Sequence, residues 1–381
     1  MSNVQFAKGL EGVIASETGI CKIDGENGKL YYYGYSIEDL VEHSDFEEVT
    51  YLLLYEKLPG SKELAEFSRN IRVSRNLSGP VVEMIREFPE NAHPMELLQS
   101  IISYLSGYVE HRISHSATCN CRNTLHQVGQ IASVVAAWER LRNGKSYVPP
   151  RDDLSHGTNL LYMLRGEDPE PYEGKIMDKC LTLHAEHGFN ASTFTARVVA
   201  STLSTCYCSI SAAIGALYGS LHGGANERVM DMVDAIGSKD NVKEWVDNAL
   251  SKKQKVMGMG HRVYKVKDPR AKIMENFLAE LSEKKNNSTY YDILKEVENV
   301  FHDRMEQEGK PIHPNVDFFS GAVYRLLGIP SILFTPLFAA ARVSGWLAHI
   351  LEQRKDNRLY RPKGLYNGPN PRAYIPVDKR G

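Results

Sequence analysis

Apolar positions recur at helical spacing along most of this chain. Residues 318–327 place Phe318, Phe319, Ala322, Val323, Leu326 and Leu327 on one face, at steps of one and four. Gly328 and Pro330 then supply a stop signal, so the spacing predicts a helix that ends there. Val343, Trp346, Leu347, Ile350 and Leu351 form a second stripe over 343–351, with Arg342 just off its edge. Residues 209–221 are small and apolar nearly all round, the pattern of an interior helix. The uncharged run from Leu326 to Ala341 is broken by Pro330 and Pro336 and is too short for a membrane span, so it reads as a buried helix pair. Strand-like alternation is rare, and the tyrosine-rich Lys29–Ile37 run predicts one short hairpin. The Gly-Glu-Asp-Pro-Glu-Pro stretch at 166–171 reads as a surface loop. The whole pattern predicts an all-α protein of many short helices.

Composition narrows the function classes. The chain has 381 residues, of which 42% are hydrophobic, so it can bury a large core. Its formal net charge is −2, and no basic stripe stands out, which argues against nucleic acid as a partner. Six cysteines in this length make no disulfide framework. The N-terminal MSNVQFAKGLEG lacks both an apolar leader and an Arg-rich amphipathic one. The expectation is a cytoplasmic protein with no membrane partner.

The candidate chemistry lies in three glycine-marked or proline-marked turns. They are Gly219-Ser220-Leu221-His222-Gly223-Gly224, Gly258-Met259-Gly260-His261 and Pro314-Asn315-Val316-Asp317. Glycine permits turns and close backbone approach that other residues do not. Two imidazoles and a carboxylate can move protons near neutral pH. Arg270, Arg342 and Arg361 add guanidiniums able to clamp a polycarboxylate. Together they point to proton abstraction beside a carbonyl on, or next to, a small polyacid. Each residue also has a plainer reading. Asp317 could cap the helix at 318, and His222 could end the preceding helix with Gly223 as its stop. His261 could sit in a surface loop, Arg342 could lay its stem over a helix edge, and His187 could be a satisfied core histidine.

Several segments resemble the citrate synthases, including the related 2-methylcitrate synthases. These are SLHGGANE around His222, MGMGHRVYKVKDPRA at 257–271, PNVDFFSG at 314–321, LHAEHGFNAST at 183–193, RVSGWLAHILEQ at 342–353 and RPKGLYNGP at 361–369. The N-terminal GLEGVIASETGICKIDGENGKL run is similar too, so the resemblance spans nearly the whole chain.

The resemblance implies a two-domain helical fold, with residues 1–224 and 328–381 forming a large domain and 225–327 a small one. It implies a homodimer in which Arg361 reaches the neighbour's site. Asp317 matches the base that deprotonates acetyl-CoA, His222 the donor to its thioester carbonyl, and His261 the residue that polarises the oxaloacetate ketone. His187, Arg270, Arg342 and Arg361 match the oxaloacetate contacts. Lys255, Val256, Met257, Gly258, Met259 and Gly260 match a coenzyme A loop, with Lys265 and Lys310 as basic partners of its phosphates. Acetyl-CoA is then a co-substrate, and no permanently bound cofactor is implied. The gly-gly turn after His222 is expected to fix its second ring nitrogen. Propionyl-CoA in place of acetyl-CoA is one alternative, since one methyl group separates them, and a CoA-binding relative without catalysis is a remoter one.

A metal site is a rival reading for His184 with His187 and for the cluster His111, His115, Cys119 and Cys121, but His-x-x-His is not the His-Glu-x-x-His pattern of the zinc proteases, and a Cys-x-Cys pair is looser evidence than two Cys-x-x-Cys pairs. Cys206 and Cys208 begin an apolar helix and read as core. Tyr33 stands where the family often has a structural arginine, which puts local pairing there in question. The short N-terminal region implies no NADH inhibition.

Overall fold

The computed structural model describes residues 6–108 and 121–380, with side chains from 125 onward in the second stretch. Among the described residues there are sixteen α-helices and one small three-stranded antiparallel sheet. The sheet pairs Cys21–Asp24 with Lys29–Tyr32, and Lys29–Tyr32 with Tyr35–Ser36. The expected hairpin is therefore present, as part of the sheet. Tyr33 sits in its turn at φ 44°, beside Gly34 at φ 88°. Pairing on either side of Tyr33 is intact, with Tyr32 opposite Tyr35.

One helix organises the interior. Phe334–Lys355 runs for 22 residues and is buried from Phe334 through Ile350 except at Phe338. By length and composition it could cross a membrane, but most of it lies inside the protein. It packs against the helices Phe46–Tyr55, Cys121–Arg142, Pro171–His184, Ala191–Ser201 and Cys206–Tyr218. The predicted 343–351 stripe is thus the middle of a much longer helix. Its second face is apolar as well, which removes the periodic signal at its ends. Arg342 is correspondingly not at a helix edge: it is only 2% exposed.

Close backbone approach fixes what lies beside Arg342. A Cβ on Gly345 would stand 2.4 Å from the Ala185 carbonyl oxygen, and the Gly345 N–H donates to that oxygen at 3.1 Å. The 185–190 segment carrying His187 is therefore pressed onto the central helix. Glu352 on the same helix accepts from Thr18 and the Gly19 N–H and pairs with buried Arg197, which tethers the N-terminal segment.

Helix boundaries correct two plainer readings. The interior helix Cys206–Tyr218 stops at Tyr218, so His222 lies in a following turn and not at a helix end. Cys206 is buried there, whereas Cys208 is exposed rather than core. The helix Val316–Leu326 is capped by the Asn315 side chain, which accepts from the Asp317 N–H. Asp317 is in its first turn and is not the cap. The 166–171 loop is confirmed, between Gly166 at φ 82° and the helix beginning at Pro171.

The helices Ala225–Ile236, Val242–Ser251, Pro269–Lys284, Thr289–Gln307 and Val316–Leu326 pack chiefly on one another. The central helix meets the first of them at its own beginning.

Candidate active site

A cavity of about 180 Å³ opens where these helices face the central one. His187, His222, His261, Arg270, Asp317 and Arg342 all line it. Six of the seven proposed catalytic and substrate residues, spread over more than 150 positions of sequence, therefore meet at one place.

Backbone pairing joins two of the turns. The Gly260 N–H donates to the His313 carbonyl, and the Asn315 N–H donates to the Gly258 carbonyl. The Asn315 amide adds a bond to the Gly260 carbonyl at 2.8 Å. His261 and Asp317 are brought together by this stitching, which only glycine allows. A Cβ on Gly258 would lie 2.8 Å from the Phe318 Cα, at φ +75°.

The two imidazoles carry defined protons. His261 Nδ1 accepts from the backbone N–H groups of Val263 at 3.0 Å and Tyr264 at 3.2 Å. A ring nitrogen that accepts is unprotonated, so the neutral ring carries its hydrogen on Nε2. His222 is the reverse. Its Nε2 accepts from the Ser192 N–H at 3.2 Å and lies 2.8 Å from the Ser192 hydroxyl. The hydrogen is then on Nδ1. The Ser192 N–H is free to do this because it lies in the first turn of the Ala191–Ser201 helix, where no intrahelical acceptor exists. The second nitrogen of His222 is thus fixed by a distant helix and not by its own gly-gly turn, which corrects the sequence expectation. Gly223 still has a part: a Cβ there would lie 2.2 Å from the Leu217 carbonyl oxygen.

Burial and charge set the protonation states. Burial, helped by Arg342, pushes His222 down to about 4. Burial, helped by Arg270, pushes His261 down to about 4 as well. Both rings are neutral donors at pH 7. Asp317 is only partly covered, but what it faces is the cavity. Desolvation raises its carboxyl to about 6, against the opposing pull of Arg270. That makes it a stronger base than an ordinary aspartate while leaving it ionised at neutral pH.

The arginines are held from behind. Asp268 grips Arg270 through Nε at 3.1 Å and Nη2 at 2.7 Å, with both residues buried. Arg342 donates from Nε to the His184 carbonyl at 2.7 Å and stacks 4.5 Å from the Phe338 ring centre. Among the described residues Asp317 is the one carboxylate lining a cavity with two guanidiniums, so the site favours an anionic ligand. A base next to neutral donors and fixed cations can remove a proton from carbon and hold the developing oxyanion.

The model of the family "Citrate synthase, C-terminal domain" matches residues 9–363. The chain belongs to the citrate synthase family. It is 45% identical to the citrate synthase of Synechocystis sp., over 99% of this chain and 95% of that protein. It is 42% identical to 2-methylcitrate synthase 2 of Corynebacterium glutamicum, over 98% of this chain and 97% of that one. The crystal structure of citrate synthase from Pyrobaculum aerophilum superposes with a TM-score of 0.92 at 40% identity, covering 98% of this chain and 95% of the other. The ternary complex of carboxymethyl coenzyme A and oxaloacetate with citrate synthase from Thermoplasma acidophilum gives a TM-score of 0.91 at 32% identity, covering 99% of this chain and 100% of that one. As a citrate synthase family member the chain is a condensing enzyme of the acyltransferase type, with the all-helical fold of its relatives.

Other expected site residues of this family member lie outside the cavity. Arg361 is exposed, and its Nη1 donates to the Pro362 carbonyl at 3.0 Å. Lys255, Lys265 and Lys310 are exposed, with Lys310 3.7 Å from Glu308. Val256 is buried, Met257 and Met259 partly so, and Gly258 and Gly260 form the turn already described. His184 is buried, with Nδ1 2.9 Å from the Cys180 carbonyl oxygen. Among the described residues no three His, Cys, Asp or Glu side chains group to hold a metal. His111, His115 and Cys119 lie outside the described residues, as does the Cys121 side chain.

Asn190, Asn226, Asn315, Thr335 and Phe338 also line the cavity, and the sequence reading passed over them. Thr335, Phe338 and Arg342 follow a helical step of three and four, so Arg342 was the available signal for the other two.

Proposed function

We propose that this enzyme is a citrate synthase that condenses acetyl-CoA with oxaloacetate and hydrolyses the resulting thioester to citrate and CoA. The observation that carries this reading is the meeting of Asp317, His222 and His261 at one cavity with complementary protonation states. Asp317 takes a proton from the acetyl methyl group. The His222 Nδ1–H donates to the thioester carbonyl oxygen as it becomes an enolate. The enolate carbon attacks the oxaloacetate ketone, the His261 Nε2–H passes to the ketone oxygen as the carbon–carbon bond forms, and the imidazolate left on the Val263 and Tyr264 N–H groups is reprotonated by water. Water then cleaves the citryl thioester and releases CoA. Arg270, Arg342 and His187 hold the oxaloacetate carboxylates, which contributes through orientation.

Arg361 completes this clamp from the neighbouring subunit of a homodimer. Support comes from the exposed tail it belongs to, where Leu365 at 71%, Tyr366 at 77% and Tyr374 at 81% stay largely open among the described residues. Coenzyme A lies along residues 255–260, with Lys265 and Lys310 near its phosphates. It acts as a co-substrate, without a resident cofactor. Residues 225–327 move as a small domain against 1–224 and 328–381, and their closure excludes water. The protein is cytoplasmic.

Relatives that are 2-methylcitrate synthases favour a second reading in which propionyl-CoA is the better acyl donor. Measuring kcat/KM for both thioesters with oxaloacetate decides between them. Higher kcat/KM with acetyl-CoA is expected; higher kcat/KM with propionyl-CoA would overturn the first reading.

A further inference from the structure

Tyr264 touches both imidazoles on the oxaloacetate side of the cavity. Its backbone N–H donates to His261 Nδ1 at 3.2 Å. Its hydroxyl lies 3.1 Å from His187 Nε2. The three rings form one cluster, with centroid separations of 5.3 Å for His187–His261, 5.6 Å for His187–Tyr264 and 4.8 Å for His261–Tyr264. The tyrosine is only 4% exposed and sits behind the two imidazoles that line the cavity.

With Nε2 engaged by the tyrosine, Nδ1 is the ring nitrogen that His187 has left for a ligand. Two directions of the hydrogen bond are possible in principle. If the imidazole donated to the phenol oxygen, the neutral ring would turn a lone pair toward an anionic substrate, which is repulsive. If the phenol donates, Nδ1 carries the hydrogen and can donate to a carboxylate. Burial keeps the Tyr264 hydroxyl protonated, since it raises its pKa far above the usual value. Burial next to Arg270 and His261 keeps His187 neutral. Among the described residues the Tyr264 hydroxyl makes no other hydrogen bond.

We propose that Tyr264 is a positioning residue that fixes the Nδ1–H tautomer of His187, and so makes that ring a donor to oxaloacetate. The inference rests on the reading of the cavity as an oxaloacetate site. One residue thereby sets two tautomers in opposite senses: its amide leaves His261 protonated on Nε2, and its hydroxyl leaves His187 protonated on Nδ1. The hydroxyl also bridges two separate chain segments, the 258–264 turn and the 185–190 segment pressed on the central helix.

The test is Tyr264→Phe, which keeps the buried ring and removes only the O–H. Nitrogen-15 spectra of the ligand-free protein report the His187 tautomer without any assay. Nδ1–H is expected in the wild type and a mixture or the Nε2–H form in Y264F. In steady-state kinetics the KM for oxaloacetate is expected to rise about three- to tenfold, the scale of one hydrogen bond, with kcat and the KM for acetyl-CoA changed less than twofold. Wild-type His187 protonated on Nε2, or an unchanged oxaloacetate KM in a folded Y264F, would overturn the proposal. Equal losses in kcat and in both KM values would also overturn it, since they would show general damage. Absence of any wild-type turnover with oxaloacetate would instead sink the reading of the site, and the spectra would still decide the tautomer.

Discussion

The corner that holds His222 and the turn that holds His261 solve the same problem in opposite ways. Each presents a neutral imidazole to the cavity, and each ring is held by backbone N–H groups. His261 is fixed from within its own turn, by residues two and three positions later. His222 is fixed by Ser192, thirty positions earlier, at the start of another helix. The difference decides which nitrogen keeps the hydrogen, and it decides how each residue depends on the rest of the fold. The His261 arrangement is local and survives as long as its turn does. The His222 arrangement exists only if the Ala191–Ser201 helix docks correctly against the 219–224 turn.

The largest effect is expected from the base both rings serve. Asp317→Asn should lower kcat by about a thousandfold, because an amide cannot accept the proton. It should also stabilise the protein. The folded-state pKa, about 6, lies above the ordinary value of 3.8, so the associated stability is present in full below the latter and lost as pH rises through the former. At pH 8 the ionised carboxylate is a cost on the order of 1–3 kcal/mol, and thermal melting should show Asp317→Asn more stable there and nearly unchanged at pH 3.5.

Next come the rings themselves. His261→Ala and His222→Ala should each lower kcat by about a hundredfold, the usual worth of one positioned proton donor. They should separate in hydrogen–deuterium exchange of the acetyl methyl group: His222→Ala abolishes exchange, while His261→Ala retains more of it, because only the former stabilises the enolate. Equal exchange in the two variants would show that the two rings do not differ in stabilising the enolate.

The third test addresses a residue neither corner contains. Arg361→Ala should raise the oxaloacetate KM ten- to a hundredfold, roughly the worth of a charge-assisted pair. Mixing it with Asp317→Asn should restore part of the activity through hybrid dimers. No recovery in mixed dimers would place Arg361 outside its neighbour's site. The smallest effect belongs to Ser192→Ala. It removes the hydroxyl and the Trp346 indole contact at 3.2 Å but leaves the N–H on His222, so kcat should fall only about threefold.

The legibility of these parts in the sequence follows the same line between local and distant. The turns at 258–261 and 314–317 announce themselves through Gly258, Gly260 and Pro314, and their chemistry could be read from those residues. The pairing of the two turns is a backbone matter, with no side-chain signature. Nothing around His222 names Ser192 as its partner, and the gly-gly turn was the nearest candidate. Nothing around Tyr264 names His187, far away in sequence, as the partner of its hydroxyl. The fold class was legible because apolar spacing is local. The length of the central helix was not, since burial on every face erases the period that marks a helix. The plain capping role read into Asp317 belongs to Asn315, two positions earlier, where either residue type would serve.

One carboxylate raised by burial works beside two imidazoles that stay neutral. The pH dependence of kcat/KM for acetyl-CoA at saturating oxaloacetate tests it most directly. A single acid limb near pH 6, falling tenfold per unit below it and with no further break from either histidine between pH 5 and 8, is the result predicted. An acid limb near 4, or a basic limb near 7 that disappears in His222→Ala or His261→Ala, would contradict it.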